Sequence, residues 1–238
     1  MARSATCAGV QRPLGDGDLA PISGMEMARF RRIAYRLFGG LLLYPEEPRW
    51  TLLNEVAREL LAYSDTLATY PFFASWQRLL TRLAMTEHRP LLAHLQPQFI
   101  RLFQVSLDSP VCHPYESFYL DPERHSIGWM ALDLAQEYAT EGLTLSPSFR
   151  DMPDHVAVEM EFMAFLCGQE AEAWERGETK RVRQILGRER AFLEAHLGRW
   201  LPRFARWVMA TDAGGFYATV LEAAEAFVRD DAKWVTPE

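Results

Sequence analysis

Hydrophobic residues recur along this chain at spacings of three and four positions, which is the period of an amphipathic helix. The first run of this kind begins near Met25 and ends before Pro45, and its apolar positions are Phe30, Ile33, Ala34, Leu37, Phe38, Leu41 and Leu42. Similar runs predict helices over residues 51–63, from 71, over 91–103, 126–142, 153–176, 178–197, 199–211 and 216–229. No segment shows the alternating pattern of a strand. The pattern therefore predicts an all-α protein.

Glycine and proline refine the expected helix boundaries. Pro97 lies inside the fourth helical run, and a proline there breaks the hydrogen-bond ladder, so a kinked or split helix is expected. Ser126 is a plausible N-cap, whereas Gly142 and Gly177 follow helical runs and suit the left-handed residue that ends many helices. The run over residues 153–176 is apolar on most sides in its first half, which predicts the central helix of the fold.

Three segments lack the helical period. Residues 1–24 are rich in Gly, Pro, Ser and Asp, which predicts a disordered tail, and residues 230–238 are interpreted as a C-terminal tail. Residues 108–124 form a long irregular segment, and such a segment in a helical protein is usually either disordered or functional. Its aromatic content favours an ordered, functional loop.

Composition and charge narrow the class of protein. The 238 residues are 49% hydrophobic and 24% charged, which is typical of a packed fold. Acidic residues outnumber basic ones by 32 to 25, which argues against a nucleic-acid partner. The three cysteines, Cys7, Cys112 and Cys167, are far apart and favour a reducing compartment. No segment approaches the roughly 18 apolar residues of a membrane span, so we expect a cytoplasmic protein.

The sequence offers few candidates for chemistry. Metal-binding spacings, a phosphate-binding loop and a nucleophile elbow are all missing, so neither a cofactor nor a catalytic activity is expected. At the start of the 153–176 run, the helix dipole would favour Asp154. His155 and Glu159 are four residues apart and share a helix face, which permits a hydrogen bond, a metal pair or an acid–base pair. Caps and buried histidines are commoner than catalytic pairs, but a hydrolase remains an alternative.

Several motifs together resemble a known family. The segment Pro153-Asp154-His155, running into Glu159-Met160-Glu161-Phe162-Met163-Ala164-Phe165-Leu166, resembles the signature helix of the TorD/DmsD/NarJ family, which are maturation chaperones for molybdenum-containing oxidoreductases. Two further segments look like family motifs, namely Phe99-Ile100-Arg101-Leu102-Phe103 and Pro114-Tyr115-Glu116-Ser117-Phe118-Tyr119-Leu120. The resemblance extends over residues 29–229 and includes a closing pattern of His196-Leu197-x-x-Trp200 and Phe204.

The resemblance implies a fold and a function. It implies about nine helices in two subdomains, residues 25–145 and 146–229, with the Pro-Asp-His segment at the hinge between them. Members bind the N-terminal leader of a molybdoenzyme's catalytic subunit, usually a twin-arginine export signal, and retain the apoenzyme until its molybdopterin cofactor is inserted. The expected state is a monomer or a domain-swapped dimer. Guanine-nucleotide binding has been proposed within the family, but without a phosphate loop no nucleotide site is expected here.

A leader of this kind also predicts the character of its binding site. An apolar stretch needs an aromatic-lined groove, and a basic front needs acidic groups at its rim. The resemblance therefore suggests a peptide-binding set of Phe99, Leu102, Phe103, Pro114, Tyr115, Glu116, Ser117, Tyr119, Pro153, Asp154, His155 and Glu159. Core packing is the alternative for each aromatic residue and especially for Leu102 and Phe103. Tyr115 stands where some relatives have tryptophan, which indicates a groove suited to a different leader.

Two other functions are compatible with the sequence. One is a NarJ-type assembly chaperone whose client is not exported, although the intact Pro-Asp-His segment favours the export-linked branches. The other is a generic helical adaptor whose groove binds some other amphipathic segment.

Overall fold

A computed structural model describes residues 22–61, 63–85, 88–105, 111–121 and 127–235. Over these residues the chain forms eleven α-helices and one π-helical segment, without a β-strand, which confirms the all-α prediction. The helices are α1 (Gly24–Leu41), α2 (Glu47–Leu61), α3 (Ser64–Leu67), α4 (Phe73–Met85), α5 (His88–Phe99), α6 (Glu116–Leu120), α7 (Ile127–Thr140), α8 (Val156–Glu175), α9 (Thr179–Ala195), α10 (Leu197–Thr211) and α11 (Phe216–Trp234), and the π-helical segment is Ile100–Gln104. Nine of the α-helices in these ranges have twelve or more residues, in agreement with the expected number.

The first and last helices extend into both predicted tails, so each tail is shorter than the sequence pattern predicts. Ser23 caps α1 through a capping box, in which its hydroxyl accepts the N–H of Glu26 and the carboxylate of Glu26 accepts the N–H of Ser23. Ser23 and Gly24 therefore belong to the start of α1. At the other end α11 continues to Trp234, and Asp231 in its last turns is buried. The tail predicted from residue 230 is therefore wrong up to Trp234. Residues 1–21 and 236–238 lie outside the described ranges.

The proline and glycine predictions have different outcomes. Helix α5 continues through Pro97, so a split of the helix at this proline is wrong, and the change to π-helical hydrogen bonding comes at Ile100. A kink at Pro97 stays a prediction. Gly142 and Gly177 have φ angles of 74° and 70°, which confirms their left-handed conformation after α7 and α8. The predicted cap Ser126 lies outside the described residues.

Helix α8 is central, as its pattern predicts. It packs against α1, α9 and α10, and 13 of its 20 residues are buried. Its longest contact is with α1, where a Cβ at Gly39 would come within 3.3 Å of the carbonyl oxygen of Ala157. A small residue at this point lets the two backbones approach closely.

One continuous hydrophobic core runs through both predicted subdomains. Trp76 of α4, for example, packs against Phe30 of α1 and Phe227 of α11, with ring centroids 5.5 and 6.0 Å apart. The predicted boundary between residues 145 and 146 is not marked by a break in this core. The division into subdomains and the hinge stay predictions. None of the helices in the described ranges combines the length and hydropathy needed to cross a membrane.

A buried ion cluster joins four of the helices. Arg31 of α1 donates to Glu170 of α8 and Glu189 of α9, both at 2.6 Å, and to Asp231 of α11. Tyr35 also donates its hydroxyl to Asp231 at 2.6 Å. These charged side chains are at most 2% exposed. We call Arg31, Glu170, Glu189 and Asp231 the Arg31 cluster.

Candidate peptide-binding site

Two motifs from distant parts of the chain meet at an isolated antiparallel bridge between Tyr115 and His155. The N–H of Glu116 donates to the carbonyl of Asp154 at 3.0 Å, and the N–H of Val156 donates to the carbonyl of Pro114 at 2.9 Å. The bridge holds the start of α6 against the start of α8. The two segments that carry much of the family resemblance therefore form one structural unit.

Asp154 and His155 have different roles from those expected. Asp154 is fully buried, and its carboxylate accepts the N–H of Ser117 at 3.2 Å, so it caps α6 and not the long helix α8. The N-cap of α8 is His155, whose Nδ1 accepts the N–H of Ala157 at 3.1 Å. Asp154 therefore lies just before α8 and not in its first turn, where the sequence pattern places it.

His155 is held in its neutral form. Its side chain is 3% exposed, and burial lowers its pKa to about 4, even though the carboxylate of Asp151 acts in the opposite direction. A neutral ring is also what the cap requires, because Nδ1 can accept a hydrogen bond only when it carries no proton. Nε2 lies 3.9 Å from Asp151. The hydrogen bond to α8 therefore orients the ring, and Asp151 lies beyond hydrogen-bonding distance of Nε2.

Glu159 does not pair with His155 through its side chain. Its carboxylate is fully buried and accepts the indole N–H of Trp200 at 3.0–3.1 Å. Burial raises the pKa of Glu159 well above its usual range, and the negative charge of Glu116 adds to this effect. Within the described ranges, no group of three or more His, Cys, Asp or Glu side chains has a metal-binding arrangement. The hydrolase alternative would need such ligands beside His155 and Glu159, and the described residues do not supply them.

Next to Glu159 lies a second charged group, in which Glu116 belongs to the predicted set whereas His196 and Glu137 do not. Nδ1 of His196 lies 3.1 Å from the buried carboxylate of Glu116, and its Nε2 lies 3.1 Å from Glu137. Burial lowers the pKa of His196, but the hydrogen bonds to Glu116 and Glu137 outweigh it and raise the pKa to about 10. The imidazole is therefore a cation at neutral pH. We call Glu116, Glu137 and His196 the His196 cluster.

The sequence contains only part of the signal for this cluster. His196 and Trp200 are four residues apart and appear in the closing motif of the resemblance, which would place them on one helix face. Their buried carboxylate partners, Glu116 for His196 and Glu159 for Trp200, are 80 and 41 residues away along the chain. No local pattern could have assigned those partners.

The predicted apolar groove residues are mostly part of the core. Phe99, Leu102, Phe103 and Tyr119 are 4%, 1%, 5% and 8% exposed. The rings of Phe99 and Phe103 pack at 4.9 Å, and Tyr119 stacks on Trp200 at 5.4 Å. These four side chains do not line an open groove in this structure. Aromatic residues of α10 and α11 pack against the rings of Phe99, Phe103 and Tyr119. All four side chains are thus packed in the core, which is the alternative that the sequence left open for them.

Tyr115 is the aromatic residue of the predicted set that remains partly exposed. Its hydroxyl donates to Asp151 at 2.7 Å, and its ring lies edge-on to His155 with centroids 5.4 Å apart. Pro153 is also partly exposed, whereas Pro114 and Ser117 are buried. The accessible part of the site therefore consists of Tyr115, Asp151 and Pro153.

Comparisons with known proteins agree on one family. A family described as the nitrate reductase delta subunit matches residues 68–206. The selenate reductase assembly chaperone protein of Thauera selenatis is 31% identical over 149 residues, which cover 61% of this chain and 72% of that protein. The chaperone protein TorD of Shewanella pealeana is 26% identical over 194 residues, which cover 79% of this chain and 80% of that protein.

Two further comparisons add to this. The chlorate reductase assembly chaperone protein of Ideonella dechloratans is 31% identical over 144 residues, covering 60% of this chain and 72% of that protein. A crystal structure described as a redox enzyme maturation protein from Archaeoglobus fulgidus covers 83% of this chain and 93% of its own, with a TM-score of 0.53 and 20% identity, which shows the fold. The family match spans more than half of the residues, and the chain therefore belongs to the TorD/DmsD/NarJ family of chaperones.

Proposed function

We propose that this protein is a cytoplasmic, system-specific chaperone that binds the leader and the apo form of a molybdopterin-containing oxidoreductase subunit. It retains that subunit until the cofactor is inserted and, where the leader is a twin-arginine signal, before export. The names of relatives support the client class, since they are assembly chaperones of selenate, chlorate and perchlorate reductases. The chain binds its client without turnover.

The observation that carries the proposal is the bridge between Tyr115 and His155. It joins the two motifs of the resemblance and leaves Tyr115 and Asp151 at the surface beside them. A partly exposed aromatic ring next to a carboxylate suits a leader in which arginines precede an apolar stretch.

The buried members of the site act by position. Asp154 caps α6, and its backbone carbonyl accepts from Glu116, so it fixes where Tyr115 emerges. Glu159 is enclosed with Trp200 and does not reach the surface. We expect Asp154 and His155 to influence leader affinity through the bridge and not through direct contact with the leader's arginines.

Affinity capture from the native host, grown anaerobically with several electron acceptors, tests the proposal. Tagged wild-type protein should retain a molybdopterin oxidoreductase subunit identified by mass spectrometry, and Asp154→Ala should retain much less. Because Asp154 is buried, Tyr115→Ser provides a second variant at a partly exposed position, and Asp65→Ala, at an exposed position of α3, is the matched control. Wild-type protein that retains no such subunit under any condition would overturn the proposal.

A further inference from the structure

Helix α7 carries an exposed apolar surface close to the site. Trp129 is 68% exposed and Leu132 is 46% exposed, although large apolar side chains are normally well covered in a folded chain. They are three residues apart, so they lie on the same side of the helix. Asp133 and Gln136, which follow Leu132 on the same side of the helix, are also exposed. We call Trp129, Leu132, Asp133 and Gln136 the α7 face.

The opposite side of α7 is firmly packed. Leu134 is fully buried, and the ring of Tyr138 packs on Phe162 with centroids 4.9 Å apart. The hydroxyl of Tyr138 donates to the carbonyl of Pro153 at 3.1 Å, directly next to Asp154. The α7 face is therefore one side of an anchored helix and is attached to the Pro-Asp-His segment.

Charge at one end of this helix indicates the kind of partner. Ile127–Thr140 contains two acidic residues, Asp133 and Glu137, and neither lysine nor arginine. Glu137 is 40% exposed even though it contacts His196. The C-terminus of a helix also carries the negative end of the helix dipole, which favours cations. The C-terminal half of α7 is thus suited to positive charge, and its N-terminal half to an apolar surface.

We propose that the α7 face binds the leader of the client as an amphipathic helix antiparallel to α7. This inference rests on the proposed function and identifies a surface for it. The leader's arginines, which come first, contact Asp133 and Glu137, and its apolar residues then cover Trp129 and Leu132. Positions 129 and 137 are about 12 Å apart along a helix, which matches roughly two turns of a bound helical leader. Amphipathic helices bind their partners through apolar residues three or four positions apart, which is also the spacing of Trp129 and Leu132.

Variants of the exposed residues test the surface without disturbing the core. The experiment first identifies the client by affinity capture, and then measures binding of a fluorescein-labelled synthetic peptide of that client's N-terminal leader by fluorescence anisotropy. Trp129→Ser combined with Leu132→Ser should weaken binding at least about tenfold, which corresponds to roughly 1.4 kcal/mol. Leu52→Ser is the matched control, since Leu52 is 60% exposed on α2. It should bind like wild type.

The acidic end has its own measurement. Asp133→Asn should weaken binding at low salt and reduce the dependence of affinity on salt, because fewer ionic contacts are then screened. A captured client whose leader binds the Trp129→Ser, Leu132→Ser variant as tightly as wild type would overturn the α7 assignment and leave the proposed function intact. Wild-type protein that captures no molybdopterin oxidoreductase subunit would overturn both.

A second copy of the chain is the competing occupant of this face. Light scattering of wild-type protein distinguishes it: a dimer that the Trp129→Ser, Leu132→Ser variant converts to a monomer would show that α7 mediates self-association, and would overturn the leader assignment. We expect wild-type protein and the variant to have the same mass in solution and the variant to be defective in leader binding.

Discussion

The Arg31 cluster and the His196 cluster each place several carboxylates around one cation, but in different surroundings. In the Arg31 cluster every charged side chain is at most 2% exposed, and the cation is a guanidinium that stays charged at all ordinary pH values. In the His196 cluster the cation is an imidazole that is 21% exposed, and one carboxylate, Glu137, is 40% exposed. The first joins four helices in the interior, and the second lies at the edge of the candidate site.

The two clusters balance charge by different means. In the Arg31 cluster three carboxyl groups surround one guanidinium, and burial raises the pKa of Glu189 to about 8 although Arg31 opposes the shift. The interior thus favours a retained proton over an excess of negative charge. In the His196 cluster the imidazole and Glu137 are partly exposed, and the hydrogen bonds to Glu116 and Glu137 keep the imidazole cationic. The buried Arg31 cluster is suited to holding helices together, whereas the charge of the partly exposed His196 cluster can change with the pH of the solution.

The largest expected effect on stability comes from removing the cation of the Arg31 cluster. Arg31→Leu leaves three buried carboxyl groups without their partner, and we expect the free energy of unfolding at pH 7 to fall by about 3–5 kcal/mol. Urea unfolding followed by circular dichroism measures this. Arg32→Leu, at the exposed neighbouring position, should change stability by no more than about 0.5 kcal/mol. Equal losses in the two variants would contradict the role assigned to Arg31.

An intermediate effect is expected at the bridge that joins the two motifs. Asp154→Ala removes the buried acceptor of the Ser117 N–H and should lower the free energy of unfolding by about 1–3 kcal/mol. Urea unfolding at pH 7 measures the change. Asp65→Ala on α3 is the control and should be close to neutral. A neutral Asp154→Ala would show that the cap of α6 contributes nothing to stability.

The charge of the His196 cluster can be tested through the dependence of stability on pH. The pKa of His196 is raised to about 10 in the folded state, against about 6.5 in an unfolded chain, so its stabilising contribution is complete below pH 6.5 and is lost as pH rises towards 10. His196→Gln should cost about 1–3 kcal/mol at pH 6, and the difference from wild type should shrink steadily up to pH 10. Urea unfolding at several pH values measures it. A difference that does not depend on pH would exclude a charged His196.

The smallest effect is expected at His155. Its folded-state pKa is lowered to about 4, so it contributes stability that is complete above about pH 6.5 and lost as pH falls towards 4. Asn is also a good N-cap, so His155→Asn should change stability at pH 7 by only a few tenths of a kcal/mol. Thermal unfolding between pH 7 and pH 4 should show a shallower decline in the variant. Parallel declines in the two proteins would contradict a buried neutral imidazole.

The sequence by itself determined the helices and the family. Spacings of three and four residues located the nine longer helices, because a helix repeats every 3.6 residues whatever its partners are. Gly142 and Gly177 marked helix ends, since only glycine adopts a left-handed conformation without strain. The one-turn helices α3 and α6 are too short to show a period, and they could not be found this way. The motifs around Tyr115 and Asp154 indicated the family because they are runs of particular residues in a particular order.

Only the tertiary structure decided which groups face one another. The partners of Arg31 lie 139 to 200 residues away, and Asp154 caps a helix that begins in another motif. The same holds for Phe99 and Tyr119, which any amphipathic pattern marks as apolar but which become core only when α10 and α11 cover them. Periodicity records which side of a helix is apolar, whereas burial and charge pairing depend on what packs against that side. The exposed Trp129 follows from the same cause, because among the described helices none covers that side of α7.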